Sequence, residues 1–162
     1  PDSLGRDNHA RAIRVATYLR SHGLQVFLDD WEMHRYRNID EAMVHGTRYA
    51  SVVVIMLTRT YIQKVENGNI WDNCVAEFNL SKLARGTILA IMEPDLRAPS
   101  EWGYNSIFGQ LSSRLYVDLS ADDGHSISML GCGRSADSVQ RWFCGLDALE
   151  MRIRSECAMI EG

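Results

Sequence analysis

The carboxylate of Glu77 closes the run Cys74-Val75-Ala76-Glu77, at the start of a segment with helical spacing. Free amides and the helix dipole favour a charged acid at that place. A lone carboxylate held there can stabilise developing positive charge and orient hydroxyl groups. The plainer alternative is a helix-start acid on a solvated face. With Ala76 and Leu80 on the core side, Glu77 falls at the seam of the helix, facing a cleft at the strand ends. A second set of acids, Asp29 and Asp30, ends the apolar run Leu24 to Leu28. Trp71 and Trp102 lie in loops at the same edge, where an indole can stack on a purine or nicotinamide ring or pin a loop to the body. Arg35 and Arg37 follow Asp29 in a charged stretch. They can meet phosphates or a partner's acids, or simply stay solvated.

Several chemistries are absent. No G-x-x-x-x-G-K-[ST] occurs, so there is no nucleotide P-loop. No G-x-G-x-x-G follows a strand, and Gly131-Cys132-Gly133 falls in a predicted surface loop, which argues against a dinucleotide-binding dehydrogenase. No G-x-S-x-G elbow supplies a hydrolase serine. A phospho-accepting receiver would place a lysine after the strand from Thr87, where this chain has Glu93-Pro94. The five histidines and four cysteines form no zinc-spaced cluster and no C-x-x-C pair. Cys74, Cys132, Cys144 and Cys157 therefore read as free thiols, as in a reducing cytosol.

Which elements must position these groups follows from patterning. The chain has 162 residues, 46% of them hydrophobic and 23% charged, enough for one domain with a real core. Its net charge of −4 speaks against a nucleic-acid platform. No apolar run reaches the length of a membrane span. Helical spacing covers 9–20, with Asp7 or Asn8 as cap and Gly23 as a left-handed stop. Strands are predicted over 24–29, 51–57, 87–92 and 115–119, the middle two as runs covered on both faces. Residues 31–38 read as a charged loop, and Ile39, Met43 and Thr47 mark a short helix. A helical turn is expected over 59–65 and a loop over 66–73. The helix from 74 to 84 buries Ala76, Leu80 and Leu83 and ends at Gly86. A long loop runs from Pro94 to Tyr104, with a short helix over 105–112. Residues 120–136 read as irregular, and a final helix spans 137–155 with Val139, Trp142, Phe143, Leu146, Leu149 and Ile153 on one side.

The alternation of helix and strand signals a parallel sheet wrapped by helices. It begins on a helix, whereas a doubly wound unit begins on a central strand. The expectation is a single domain over 1–162 that is a piece of something longer, with a flavodoxin-like order 2-1-3-4-5 and its first strand missing. Strands 24–29 and 51–57 would then flank a gap instead of pairing.

Taken in order, these segments resemble the Toll/interleukin receptor homology (TIR) domain. Gly5-Arg6-Asp7-Asn8-His9 is similar to the loop leading into that family's first helix, and Gly23 to Asp29 to its second strand. Residues 31–38 correspond to its BB loop, Ser51 to Thr58 to its third strand, and Cys74-Val75-Ala76-Glu77 to its C-x-x-E helix start. Asp72-Asn73-Cys74, Glu93-Pro94 and Glu101-Trp102-Gly103 look most like members from algae and other protists. Two departures stand out: enzymatic members often carry Trp three or four residues before the glutamate, where this chain has Cys74 and Asn73, and Arg37-Asn38 replace the usual glycine before Ile39.

The resemblance implies a cytoplasmic signalling module of innate-immunity type that associates with other TIR domains as a homo-oligomer. Its alternatives are a non-catalytic adaptor and an enzyme that also cleaves NAD at the nicotinamide–ribose bond, with NAD as substrate and no cofactor or metal. It implies Glu77 as the catalytic residue. Arg6, Asp7, Asp29, Trp71, Cys74 and Trp102 would bind substrate, the backbone of 5–9 holding its phosphates. Trp31, Met33, Arg35, Arg37 and Ile39 would form the interaction loop.

Overall fold

A computed structural model describes residues 6–36, 38–69, 71–102, 116–121 and 136–161. Helix α1 (Asn8–Ser21) starts where the Asp7 carboxylate accepts from the amides of His9 and Ala10, and Gly23 turns the chain at φ +82°. A helical turn α2 (Asp29–Glu32) and a 3₁₀ turn (Met33–Arg35) lead to α3 (Ile39–Tyr49), capped by Asn38. Strand β1 (Val52–Leu57) feeds α4 (Arg59–Asn67). Then come α5 (Asn73–Ser81), β2 (Gly86–Ile91), two 3₁₀ turns (Pro94–Leu96 and Pro99–Trp102), β3 (Tyr116–Asp118) and α6 (Ala136–Glu161).

The three strands form one parallel sheet in the order β1-β2-β3, with Val52 opposite Gly86 and Leu89 opposite Tyr116. Its two faces pack separate clusters. Ile88, Ala90 and Met92 face α1 and α6 through Val15, Leu19, Trp142, Leu146, Leu149 and Ile153. Leu89 and Ile91 face α4 and α5 through Ile62, Val65 and Phe78. Period-2 alternation thus sends β2 into apolar surroundings on both sides. The result is the three-layer α/β architecture expected of a flavodoxin-like fold.

Residues 24–28, expected as a strand, join no ladder, and Asp29 already belongs to α2. They alternate in exposure as a strand would, and Leu24 and Val26 pack on the α1–α6 cluster. A ladder needs a partner backbone, and none of the described residues lies beside them. Arg20 Nη2 instead serves the Val26 carbonyl at 2.8 Å. Residues 24–28 do not pair with β1, whose outer edge is likewise open among the described residues.

Other boundaries move for local reasons. The charged stretch 31–38 is partly helical, because Leu28 O accepts from the amides of Trp31 and Glu32. Helix α4 runs two residues past 65 to Asn67, where Gly68 adopts φ +63°. Helix α5 stops at Ser81 and buries Val75, Phe78 and Ser81, whereas Leu83 is exposed and Gly86 opens β2. Pro94 and Pro99 start 3₁₀ turns inside the long loop. Helix α6 extends beyond 155 to Glu161, and Phe143 faces outward. Gly145 lets α6 pass over β3, since a Cβ there would lie 2.5 Å from Asp118 O. The expected helix over 105–112 lies outside the described residues, as does all but the ends of the irregular stretch 120–136.

Beyond the strand ends, two arginines close the fold. Arg11, fully buried, donates to the carbonyls of Met92 (2.7 Å), Leu119 (2.6 Å) and Ala121 (2.8 Å), and its guanidinium lies over the Trp142 ring. Arg6 donates to Ser120 O at 2.7 Å and Met92 O at 3.1 Å. Arg11→Leu strips donors from three buried carbonyls and is expected to destabilise the fold by about 3–5 kcal/mol. Chemical denaturation checks this, and a loss below about 1 kcal/mol contradicts it.

Candidate functional site

Helix α5 begins at Asp72, whose Oδ1 accepts from Cys74 N at 2.9 Å. Val75 and Phe78 anchor its inner face, which leaves Cys74 and Glu77, three residues apart, together on one flank. That flank meets α4. Thr58 Oγ1 accepts from Tyr61 N and starts α4, and Ile62 and Val65 point into the core. Tyr61 and Lys64, again three apart, are thereby turned toward α5. Lys64 Nζ lies 3.4 Å from Asp72 Oδ2 and 3.9 Å from Cys74 Sγ.

Glu77 is half-buried, and its carboxyl is raised above the usual 4.5, chiefly by burial. The negative charges of Asp29 and Asp72 push it the same way, and Lys64 opposes them. Burial and the Glu77 charge also raise the Tyr61 phenol far above its ordinary range. Burial lifts the Cys74 thiol to about 11, so it is uncharged at neutral pH. Asp72 is held below the usual carboxylate range by the Cys74 amide. Asp29, Tyr61, Lys64, Asp72, Cys74 and Glu77 are therefore one electrostatic group that contains three acids. Such a group favours a cation and suits a carboxylate that must meet positive charge.

Of the residues anticipated as substrate-binding, Asp29 and Cys74 are brought to Glu77. Arg6 and Asp7 serve the strand ends and the α1 cap, as described above. Trp71 is 87% exposed, on the loop just before α5. Trp102 corrects the expectation of a stacking platform: only 1% of it is accessible, and its Nε1 donates to Leu96 O at 2.6 Å within the α4–α5 cluster. A ring with no open face pins its loop and offers no surface to a ligand.

In the 31–38 stretch, anticipated as an interaction loop, Trp31 carries the Arg20 guanidinium 4.0 Å above its ring, and Arg35 pairs with Glu32 at 2.8 Å. Met33 ends up in the 3₁₀ turn and Ile39 at the first position of α3, while Arg37 lies outside the described residues. Phe27, Tyr36, His45 and Tyr49 stack beside this stretch, with the Tyr36 hydroxyl 2.8 Å from His45 Nδ1. Gly46 makes room for the Phe27 ring, which a Cβ would approach to 2.5 Å.

Tyr61 and Lys64 are the members that sequence reading missed. Their signal was the three-residue spacing in a segment read only as a helical turn. Glu93 was passed over as well. It is buried at the end of β2, where it accepts from Asn8 Nδ2 (3.0 Å) and from the amide of Arg59 (3.1 Å), tying α1 to the start of α4.

A family model described as the TIR domain matches residues 3–130. No curated protein and no solved structure matches the chain.

The raised Glu77 value has a signed consequence for stability. The folded state holds this proton more tightly than the unfolded chain. Its contribution is therefore fully present below about 4.5 and is lost as pH rises through the folded value. Glu77→Gln is expected to melt higher than wild type at pH 7, with the difference vanishing at pH 4. A lower melting temperature for the variant at pH 7 contradicts the assignment.

Proposed function

As the chain belongs to the TIR domain family, and is on that ground a signalling module, we propose that it acts by self-association and hydrolyses NAD at the nicotinamide–ribose bond. The observation that carries this reading is the half-buried Glu77 at the fifth residue of α5, past the first turn where the sequence had placed it, with the charges of Asp29 and Asp72 acting on it. The nicotinamide ring of NAD is cationic, and the acidic group around Glu77 favours it. As the bond between the anomeric carbon and the ring nitrogen breaks, its electron pair goes to that nitrogen and the ring leaves neutral. No proton donor is required. Positive charge passes to the ribose as an oxocarbenium ion, which the Glu77 carboxylate stabilises while accepting hydrogen bonds from the sugar hydroxyls. Water then adds to the anomeric carbon and releases a proton. Trp71, exposed on the loop just before α5, offers its indole for stacking on a base.

Self-association is the second half of the reading. The side chains of Phe27, Val44 and Tyr49 are exposed around α3, next to the 31–38 stretch with its Arg35 and Glu32. Apolar side chains rimmed by paired charges suit homotypic contact. The rival is an adaptor that uses this surface and does no chemistry.

The discriminating assay is nicotinamide release by the full-length protein at concentrations that favour assembly. Glu77→Ala is expected to lower the rate about 10²–10³-fold, and Glu77→Gln nearly as much, because an amide cannot neutralise an oxocarbenium charge. The acid limb of the wild-type profile should lie above 4.5, since the working form is the carboxylate. Wild-type protein that releases no nicotinamide, or a Glu77→Ala protein as fast as wild type, leaves only the adaptor.

A further inference from the structure

Lys64 occupies an unusual place. Its ammonium sits at the amino end of α5, where the helix dipole disfavours a cation. A half-exposed ion pair there stabilises the fold by less than about 1 kcal/mol, so stability alone is a thin reason for it. Geometry supplies a better one. Lys64 lies 3.4 Å from the carboxylate that caps α5 and 3.9 Å from Cys74 Sγ, one turn before Glu77 on the same flank. Tyr61, one turn earlier on α4, faces Glu77 itself. We infer that Lys64 is a positioning residue for Glu77: it ties α4 to the cap of the helix that carries this carboxylate and offsets the neighbouring acids, keeping Glu77 ionised and fixed.

The inference rests on the reading of Glu77 as the working carboxylate. The charges acting on Glu77 are Asp29 from α2, Asp72 at the cap and Lys64 from α4, of which only Lys64 is positive. Helix α3 also packs against α5 and carries Glu41, His45 and Arg48. The ammonium is itself held above its ordinary value by the Cys74 sulfur and by Asp72. Because the thiol is neutral at pH 7, Asp72 is the anion that anchors it there. With Lys64 removed, Glu77 keeps both repelling acids and loses this opposing charge, so its titration is expected to move upward.

The test follows the Glu77 carboxyl by carbon NMR in the full chain, assigned with Glu77→Gln and titrated in wild type, Lys64→Met and Lys64→Arg. The expected result is a higher midpoint in Lys64→Met and an unchanged one in Lys64→Arg. In the assembled protein, the acid limb of kcat/KM for NAD should move upward by the same amount in Lys64→Met, with activity at alkaline pH retained. An unchanged Glu77 midpoint in Lys64→Met overturns the inference. A shifted midpoint with no nicotinamide released by wild type upholds the positioning role and removes the enzymatic reading instead. Should Lys64→Met fail to fold, as its amide spectrum would show, Lys64→Gln carries the same comparison.

Discussion

The carboxyl ends of parallel strands leave carbonyl groups that no ladder satisfies, and this fold answers them with side chains from its first helix and the residues just before it. Arg11 holds three such carbonyls, those of Met92, Leu119 and Ala121, and Arg6 shares Met92 while adding Ser120. A buried guanidinium is costly to desolvate. Its planar array of donors, set against converging carbonyl dipoles and the face of Trp142, offsets that cost. Because both arginines belong to the α1 end of the chain, the same contacts fix α1 across the sheet and bring Val15 and Leu19 onto Ile88 and Ala90. β2 and the segment after β3 cannot separate without leaving carbonyls bare.

That clamp has a counterpart on the α4 side. Glu93, one residue past Met92, takes the side-chain amide of Asn8 and the backbone amide of Arg59. The end of β2 therefore positions the start of α1 and the start of α4 together. Helix α4 then presents Tyr61 and Lys64 to α5, and Phe78 and Val75 hold α5 in register on the other side. The surroundings of Glu77 are thus set both by α5 packed directly on the sheet through Phe78 and by the placement of α4.

Burial and like charge both work against the ionised form of Glu77. For stability alone, glutamine or an apolar residue would serve better at that position.

Much of this was legible in the chain itself. The Asp7 and Gly23 signals bounded α1, and the continuous apolar runs gave β1 and β2. These follow from local periodicity and capping, which depend on neighbours a few residues away. The strand expected over 24–29 did not form: residues 24–28 lack a ladder partner among the described residues, and Asp29 belongs to α2. What only the tertiary structure decided depends on contacts between distant segments. Trp102 became a core anchor because the 3₁₀ turns fold it under Leu96. The 31–38 stretch became partly helical because Leu28 O is left free to accept its amides. Lys64 and Tyr61 joined Glu77 because two helices pack against each other, and no spacing along the chain encodes that meeting.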